Sequence, residues 1–304
     1  MFAMKTLKAY GQLTRISNLP TVVTNVLVGI ALALQGDAFT LKAFIPLQVI
    51  VILFYLGGMA LNDVIDFRYD LKHQIPRPLA TGAITPFAAQ FFVGITLGIG
   101  LSLSFELFNR HAFMVSCLLV FAIVVYNLFH KKIVQTVVFM GMVRGLVYLF
   151  CYTAMCQVPL DSRMYGYLIA LYIFAITFYV IGITLVARLE NSSGIDKRKW
   201  LLILMWGIVV AVSGFGIWLN PSGQKNVILI VLGLFIFTYW ILHAMFILFS
   251  ESPNIKKAIL YLLSGICLVD TIFLITLSVD QVIVGVSFIC FVITTLWHKK
   301  ISGT

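Results

Sequence analysis

The chain has 304 residues, 61% of them hydrophobic and only 11% charged, and it carries a net charge of +10. Soluble domains devote about a quarter of their residues to charge, so water is excluded as the solvent for most of this surface. The positive charge is not a nucleic-acid footprint either, because the basic residues sit in short connections between apolar runs.

In chain order, apolar runs cover about 17–35, 44–62, 87–108, 112–129, 134–157, 164–187, 200–219, 226–249, 257–278 and 281–297. Each reaches or approaches the roughly 20 residues that a helix needs to cross a bilayer. The first run is too long for the 7–15-residue core of a cleaved signal and is read as an uncleaved span. The breaks carry turn chemistry, such as Thr85-Pro86, a hydroxyl cap ahead of a proline at the first helical position. Only Ser278-Val279-Asp280-Gln281 separates the last two runs; if that break is a kink, the count is nine rather than ten. The fold class expected is therefore all-α, a polytopic transmembrane helical bundle forming one integral-membrane domain over 1–304. The five cysteines lie inside apolar runs without paired spacing and read as packing residues.

Charge placement orients the bundle. With the N-terminus cytoplasmic, sixteen of the twenty-one Lys and Arg fall on the cytoplasmic side and four, Lys42, Arg110, Arg163 and Lys225, on the other. By the positive-inside rule both termini are cytoplasmic, and the expected location is a multi-pass protein of the bacterial inner membrane. Arg144 alone lies inside a span, and Asp270 poses the same puzzle in the ninth run. Charges at that depth face a cavity or a partner: Arg144 is expected to line a cavity, or else to pair with a group such as Asp270.

The second span ends in Asn62-Asp63-Val64-Ile65-Asp66-Phe67-Arg68-Tyr69-Asp70. Asn62, Asp66 and Asp70 are spaced i, i+4, i+8 and so share one helical face, with Asp63 at its border. An oxygen-only cluster suits Mg²⁺, which takes one or two carboxylates and completes its shell with water and substrate phosphates. The acidic end is therefore expected to meet a phosphorylated substrate. Lys72 and Arg77 in the following loop, with Arg77 between Pro76 and Pro78, suit the remaining oxygens of a diphosphate.

The pattern Asn62-Asp63-x-x-Asp66-x-x-x-Asp70, followed by Arg77-Pro78-Leu79 and Gly82-x-Ile84, resembles the first signature of the UbiA superfamily of intramembrane prenyltransferases. Weaker likenesses are Arg15 and Asn18 at the first span, Tyr126 with Lys131 and Lys132 after the fourth, and Arg144-Gly145 in the fifth. The resemblance implies a helical bundle whose central cavity opens to lipid, with two acidic motifs holding Mg²⁺-diphosphate at its cytoplasmic end. Asn62, Asp66 and Asp70 would be metal ligands. Asp63, Lys72, Arg77, Tyr126, Lys131 and Arg144 would bind substrate. The implied reaction moves a prenyl group from an isoprenoid diphosphate to a small aromatic or lipid-like acceptor.

The second motif departs from this pattern. After the sixth span the chain reads Ala187-Arg188-Leu189-Glu190-Asn191-Ser192, with a single carboxylate. The departure resembles a divergent branch of the superfamily found with Ebo-type bacterial gene clusters. Arg188 is expected to contact the diphosphate in place of a second metal, with Glu190 orienting it, and both join Asp66 and Asp70 as the catalytic set. Two rival functions stay open: a transporter or flippase for a lipid-linked metabolite, and a non-catalytic binder of isoprenoid diphosphate.

Overall fold

A computed structural model describes residues 2–34, 39–156, 163–188, 195–220 and 225–300. All regular structure among them is helical: α1 (Phe2–Leu13), a 3-10 turn (Ile16–Asn18), α2 (Leu19–Leu34), α3 (Leu41–Lys72), α4 (Pro86–Leu107), α5 (Arg110–Phe129), α6 (Val137–Met155), α7 (Arg163–Arg188), α8 (Ile195–Leu219), α9 (Val227–Phe249), α10 (Ile255–Thr276) and α11 (Gln281–Lys300). Among the described residues, ten helices are long and apolar enough to cross a membrane.

The ten-span count rests on the break after α10. Ser278 adopts φ 57°, and the amide of Val279 reaches back to the carbonyl of Leu274 at 3.2 Å. This is a left-handed helix stop. Asp280 then caps α11, its carboxylate accepting from Val282 N at 2.7 Å. The break is a stop and a new start, not a kink. Thr85 caps α4 as its sequence suggests, accepting from Ala88 N at 3.2 Å.

Two helices form the middle of the bundle. The most apolar stretches of α2 and α10 are 78% and 83% buried, against 22% for those of α9 and α11. α2 packs on α3, α6, α10 and α11, and α10 on α7, α8 and α9 as well. Tyr148, Tyr172, Tyr179, Phe237 and Phe273 belong to the hydrophobic core around them. Tyr148 and Tyr179 are thus core residues, with the Tyr179 hydroxyl donating to the carbonyl of Leu262 at 3.0 Å. Cysteine packing is less uniform than the sequence suggests: Cys151, Cys267 and Cys290 are buried, whereas Cys117 is exposed.

α6 and α7 approach unusually closely. A Cβ added to Gly141 would lie 2.4 Å from the carbonyl of Thr177, and one added to Gly145 would lie 2.4 Å from the Thr177 hydroxyl. This small-residue seam of Gly141-x-x-x-Gly145 replaces the hydrophobic effect, which is weak between helices in lipid. It also fixes the end of α7 beside the start of α6.

α3 has 32 residues, so at 1.5 Å per residue it runs about 48 Å. That exceeds a hydrocarbon core of about 30 Å by several turns. Hydropathy ends the second span near residue 62, but the helix continues to Lys72. The acidic residues therefore stay on one continuous helical face.

Candidate active site

Asn62, Asp63, Asp66 and Asp70 lie on the last turns of α3 and are 8%, 4%, 4% and 2% exposed. Three buried carboxylates would repel strongly without positive partners. Three connections supply them. From the break before α2, Arg15 donates to Asn62 Oδ1 at 3.1 Å and stands 3.9 Å from Asp63. Arg15 has φ 47°, and the Tyr55 hydroxyl on α3 donates to its carbonyl at 2.9 Å, which fixes that strained turn.

The α3–α4 connection supplies Arg77. It is 2.7 Å from Asp63, 3.9 Å from Asp66 and 3.5 Å from Asp70. The loop is ordered by its own bonds: Ile75 N to Asp70 O at 3.0 Å, Thr81 N to Arg77 O at 2.9 Å and Ile84 N to Pro78 O at 3.2 Å. Leu79 and Ile84 are buried against Ala9 and Leu13 of α1 and Ala60 of α3. Gly82 adopts φ +74°, which a side chain would disfavour.

The α5–α6 turn supplies Lys131, 2.8 Å from Asp66 Oδ1, and His130, 3.5 Å from Asp66 Oδ2. The Lys131 ammonium also lies 3.6 Å above the Tyr69 ring, a cation–π support. Tyr126 stacks on His130 at 5.4 Å. Asn127 donates to the carbonyl of Ile123 at 2.9 Å and accepts from Asn62 Nδ2 at 3.0 Å, so it holds the Asn62 amide in one orientation.

The cluster thus unites Asn62, Asp63, Asp66, Asp70, Arg77 and Lys131, with Tyr126 at its edge. Lys72 is exposed and makes no ion pair among the described residues. Glu190 and Asn191 lie outside the described residues. Arg188 reaches the α5–α6 turn and not the carboxylates: it donates to the carbonyl of His130, to that of Ile133 at 3.4 Å and to Thr136 Oγ1 at 3.5 Å. Asn127 and His130 are site residues that sequence reasoning passes over, His130 because it looks isolated along the chain. Helical spacing was the available signal, since Tyr126 and His130 are i, i+4 at the end of α5.

Arg144 belongs to a second polar group, deeper in the bundle. Its guanidinium donates to Asn25 Oδ1 at 2.6 Å and to Thr21 Oγ1 at 3.1 Å. Asp270, fully buried, accepts from Asn25 Nδ2 at 2.8 Å and from Thr24 at one oxygen, and from the Tyr148 hydroxyl at the other. Arg144 and Asp270 are therefore bridged through Asn25 rather than paired directly.

Among the described residues no three His, Cys, Asp or Glu converge closely enough to cage a metal ion. The acidic end nevertheless fits Mg²⁺, which needs only one or two carboxylates when a substrate supplies phosphate oxygens. The donors are all oxygen, and Asp70 Oδ1 is buried with no hydrogen-bond partner. A buried carboxylate oxygen without a partner calls for an ion, water or ligand group.

A profile of the UbiA prenyltransferase family matches residues 22–265. The digeranylgeranylglyceryl phosphate synthase of Sulfurisphaera tokodaii is 30% identical over 131 residues, 41% of this chain and 44% of that protein. The enzyme of the same name from Sulfolobus acidocaldarius is 34% identical over 100 residues, 33% of this chain and 36% of that protein. The chain thus matches less than half the length of these relatives. A UbiA homologue from Archaeoglobus fulgidus, solved with DMAPP and Mg²⁺, superposes with a TM-score of 0.61 at 13% identity, over 93% of this chain and 99% of that one.

Proposed function

The chain belongs to the UbiA prenyltransferase family, and from this membership and the geometry of the acidic cluster we propose that it transfers a prenyl group within the membrane. The donor is an isoprenoid diphosphate and the acceptor a small aromatic or lipid-like molecule. The observation that carries the reading is the pairing of three buried carboxylates with Arg77 and Lys131 while Asp70 Oδ1 lacks a partner. The carboxylates fit a metal and the cations fit phosphate oxygens, which together describe a metal–diphosphate site.

Asn62, Asp66 and Asp70 would hold Mg²⁺, which supplies charge neutralisation for the departing pyrophosphate. Arg77 and Lys131 partly neutralise the acids in the donor-free protein. On donor binding they turn to the diphosphate, Arg77 with a forked guanidinium and Lys131 as a point charge. The bond between prenyl C1 and the diphosphate oxygen breaks, and its electron pair leaves with pyrophosphate. The acceptor attacks the allylic cation and later loses a proton. The apolar bundle keeps water from that cation. Asn127 holds the Asn62 amide nitrogen at 3.0 Å. Asn62 Oδ1, which accepts from Arg15 at 3.1 Å and Arg77 at 3.5 Å in the donor-free protein, would be released to the metal as these cations turn to the diphosphate.

The whole chain is proposed to act as one unit in a bacterial inner membrane, with both termini and the acidic end cytoplasmic. The positive-inside count supports this orientation. The Archaeoglobus homologue with DMAPP and Mg²⁺ supports the donor class, and the synthase name of the relatives supports transfer rather than transport.

Purified protein given labelled geranyl diphosphate and Mg²⁺ is expected to release pyrophosphate when membrane lipid extract supplies acceptor. Mass spectrometry of the product then reports the acceptor. Mg²⁺-dependent donor binding without pyrophosphate release would select the non-catalytic reading, and no donor binding would contradict the proposal altogether.

A further inference from the structure

We propose that Arg188 is a positioning residue: it clamps the α5–α6 turn and so holds Lys131 and His130 against Asp66. This deepens the proposed prenyl-transfer reading and rests on it wherever the donor enters.

Arg188 is the last residue of α7, next to Ala187, where the resemblance would place the first aspartate of a second acidic motif. Among the described residues, its side-chain hydrogen bonds all go to one short turn. The carbonyls of His130 and Ile133 and the hydroxyl of Thr136 accept from its two terminal nitrogens. These acceptors bracket Lys131 and Lys132. The turn also has bonds of its own: the amides of Lys132 and Ile133 share the carbonyl of Phe129, each at 2.9 Å, His130 N reaches Tyr126 O at 2.8 Å and Thr136 N reaches Ile133 O at 3.4 Å. The His130 ring bonds to Asn127 O at 2.9 Å, and the Thr136 hydroxyl returns to Ile133 O at 2.7 Å; none of these involves the side chain of Lys131. A planar guanidinium that spans the carbonyls on both sides of Lys131 fixes the direction in which that lysine leaves the backbone.

The location of Arg188 is set by the fold. The Gly141/Gly145 seam brings α6 against α7, so the end of α7 and the start of α6 move together. No ion pair joins Arg188 to an aspartate among the described residues, whereas Lys131 lies 2.8 Å from Asp66. The effect of Arg188 on the acidic end therefore passes through the turn.

Two measurements test this. The first needs no donor: hydrogen exchange at the amides of residues 130–136 in wild type, Arg188→Ala and Arg188→Lys. Exchange in Arg188→Ala is expected to rise about tenfold or more, as for a locally opened segment, with Arg188→Lys in between. The second is a double-mutant cycle on geranyl diphosphate affinity with Mg²⁺. Arg188→Ala is expected to weaken binding about tenfold in wild type, the range of a charge-assisted contact, but less than about twofold in Lys131→Ala, because contacts that act in series are not additive. Unchanged exchange in Arg188→Ala overturns the clamp. Equal losses in both backgrounds also overturn it, by placing Arg188 on the diphosphate itself. A wild-type protein that binds no geranyl diphosphate defeats the prenyl-transfer reading, and the exchange measurement then decides the clamp alone.

Discussion

Asp70 and Asp270 are both buried carboxylates in an apolar bundle, at 2% and 0% exposed, but their surroundings differ in kind. Asp270 is saturated by its own chain, with Thr24 and Asn25 donating to one oxygen and Tyr148 to the other. Asp70 keeps one oxygen within reach of Arg77 at 3.5 Å and the other without a partner. A carboxylate whose hydrogen-bonding capacity is met locally holds helices together. One that is left incomplete, next to cations on connecting segments, is prepared for something the chain does not contain. On the proposed function, the contrast puts a structural role in the α2–α6–α10 network and the chemistry at the end of α3.

The first way to break this comparison is to remove Asp270. Asp270→Ala strands three buried donors, Thr24, Asn25 and Tyr148, and is expected to cost about 3–5 kcal/mol, as when one member of a buried polar network is deleted. Thermal unfolding in detergent measures it. The same experiment on Asp70→Ala is expected to show little loss or a slight gain, because one source of like-charge repulsion disappears. Equal destabilisation by both variants would erase the distinction.

A smaller effect is expected at the α6–α7 seam. Gly141→Leu forces a side chain into the backbone of Thr177 and is expected to cost about 1–3 kcal/mol, the range of overpacking. Gly98→Leu, on α4 where an added Cβ meets nothing within 4 Å, is the control and is expected to be neutral. The smallest effect is expected at Lys72. Being exposed and unpaired among the described residues, its replacement by Ala is expected to change donor affinity by less than about twofold, as for a surface charge. A large loss there would place the diphosphate against the C-terminal end of α3.

Much of this arrangement is legible in the chain. The spans follow from apolar runs, and the acidic face of α3 follows from its i, i+4, i+8 spacing. The end of α3 is less legible, because hydropathy falls at residue 62 while the helix runs on to Lys72: polar residues end the hydropathy signal without ending the hydrogen-bonded ladder. The Arg144–Asn25–Asp270 bridge is hidden for another reason. It needs three helices whose contact order no local pattern specifies, and Asn25 looks like a stray polar residue in an apolar span. His130 looks isolated along the chain and becomes a neighbour of Asp66 only when α5 packs beside α3. The place of Arg188 depends on two glycines more than forty residues earlier, whose small size is visible in sequence but whose partner is not.

The most direct test of the account is calorimetric titration of geranyl diphosphate, with Mg²⁺ varied, into wild type and Asp70→Ala. The account predicts Mg²⁺-dependent binding in wild type, weakened about a hundredfold or more in Asp70→Ala, the scale of losing a charge-stabilising group, while the donor-free variant unfolds at the wild-type temperature. Wild-type affinity in Asp70→Ala, or binding that ignores Mg²⁺, would contradict it.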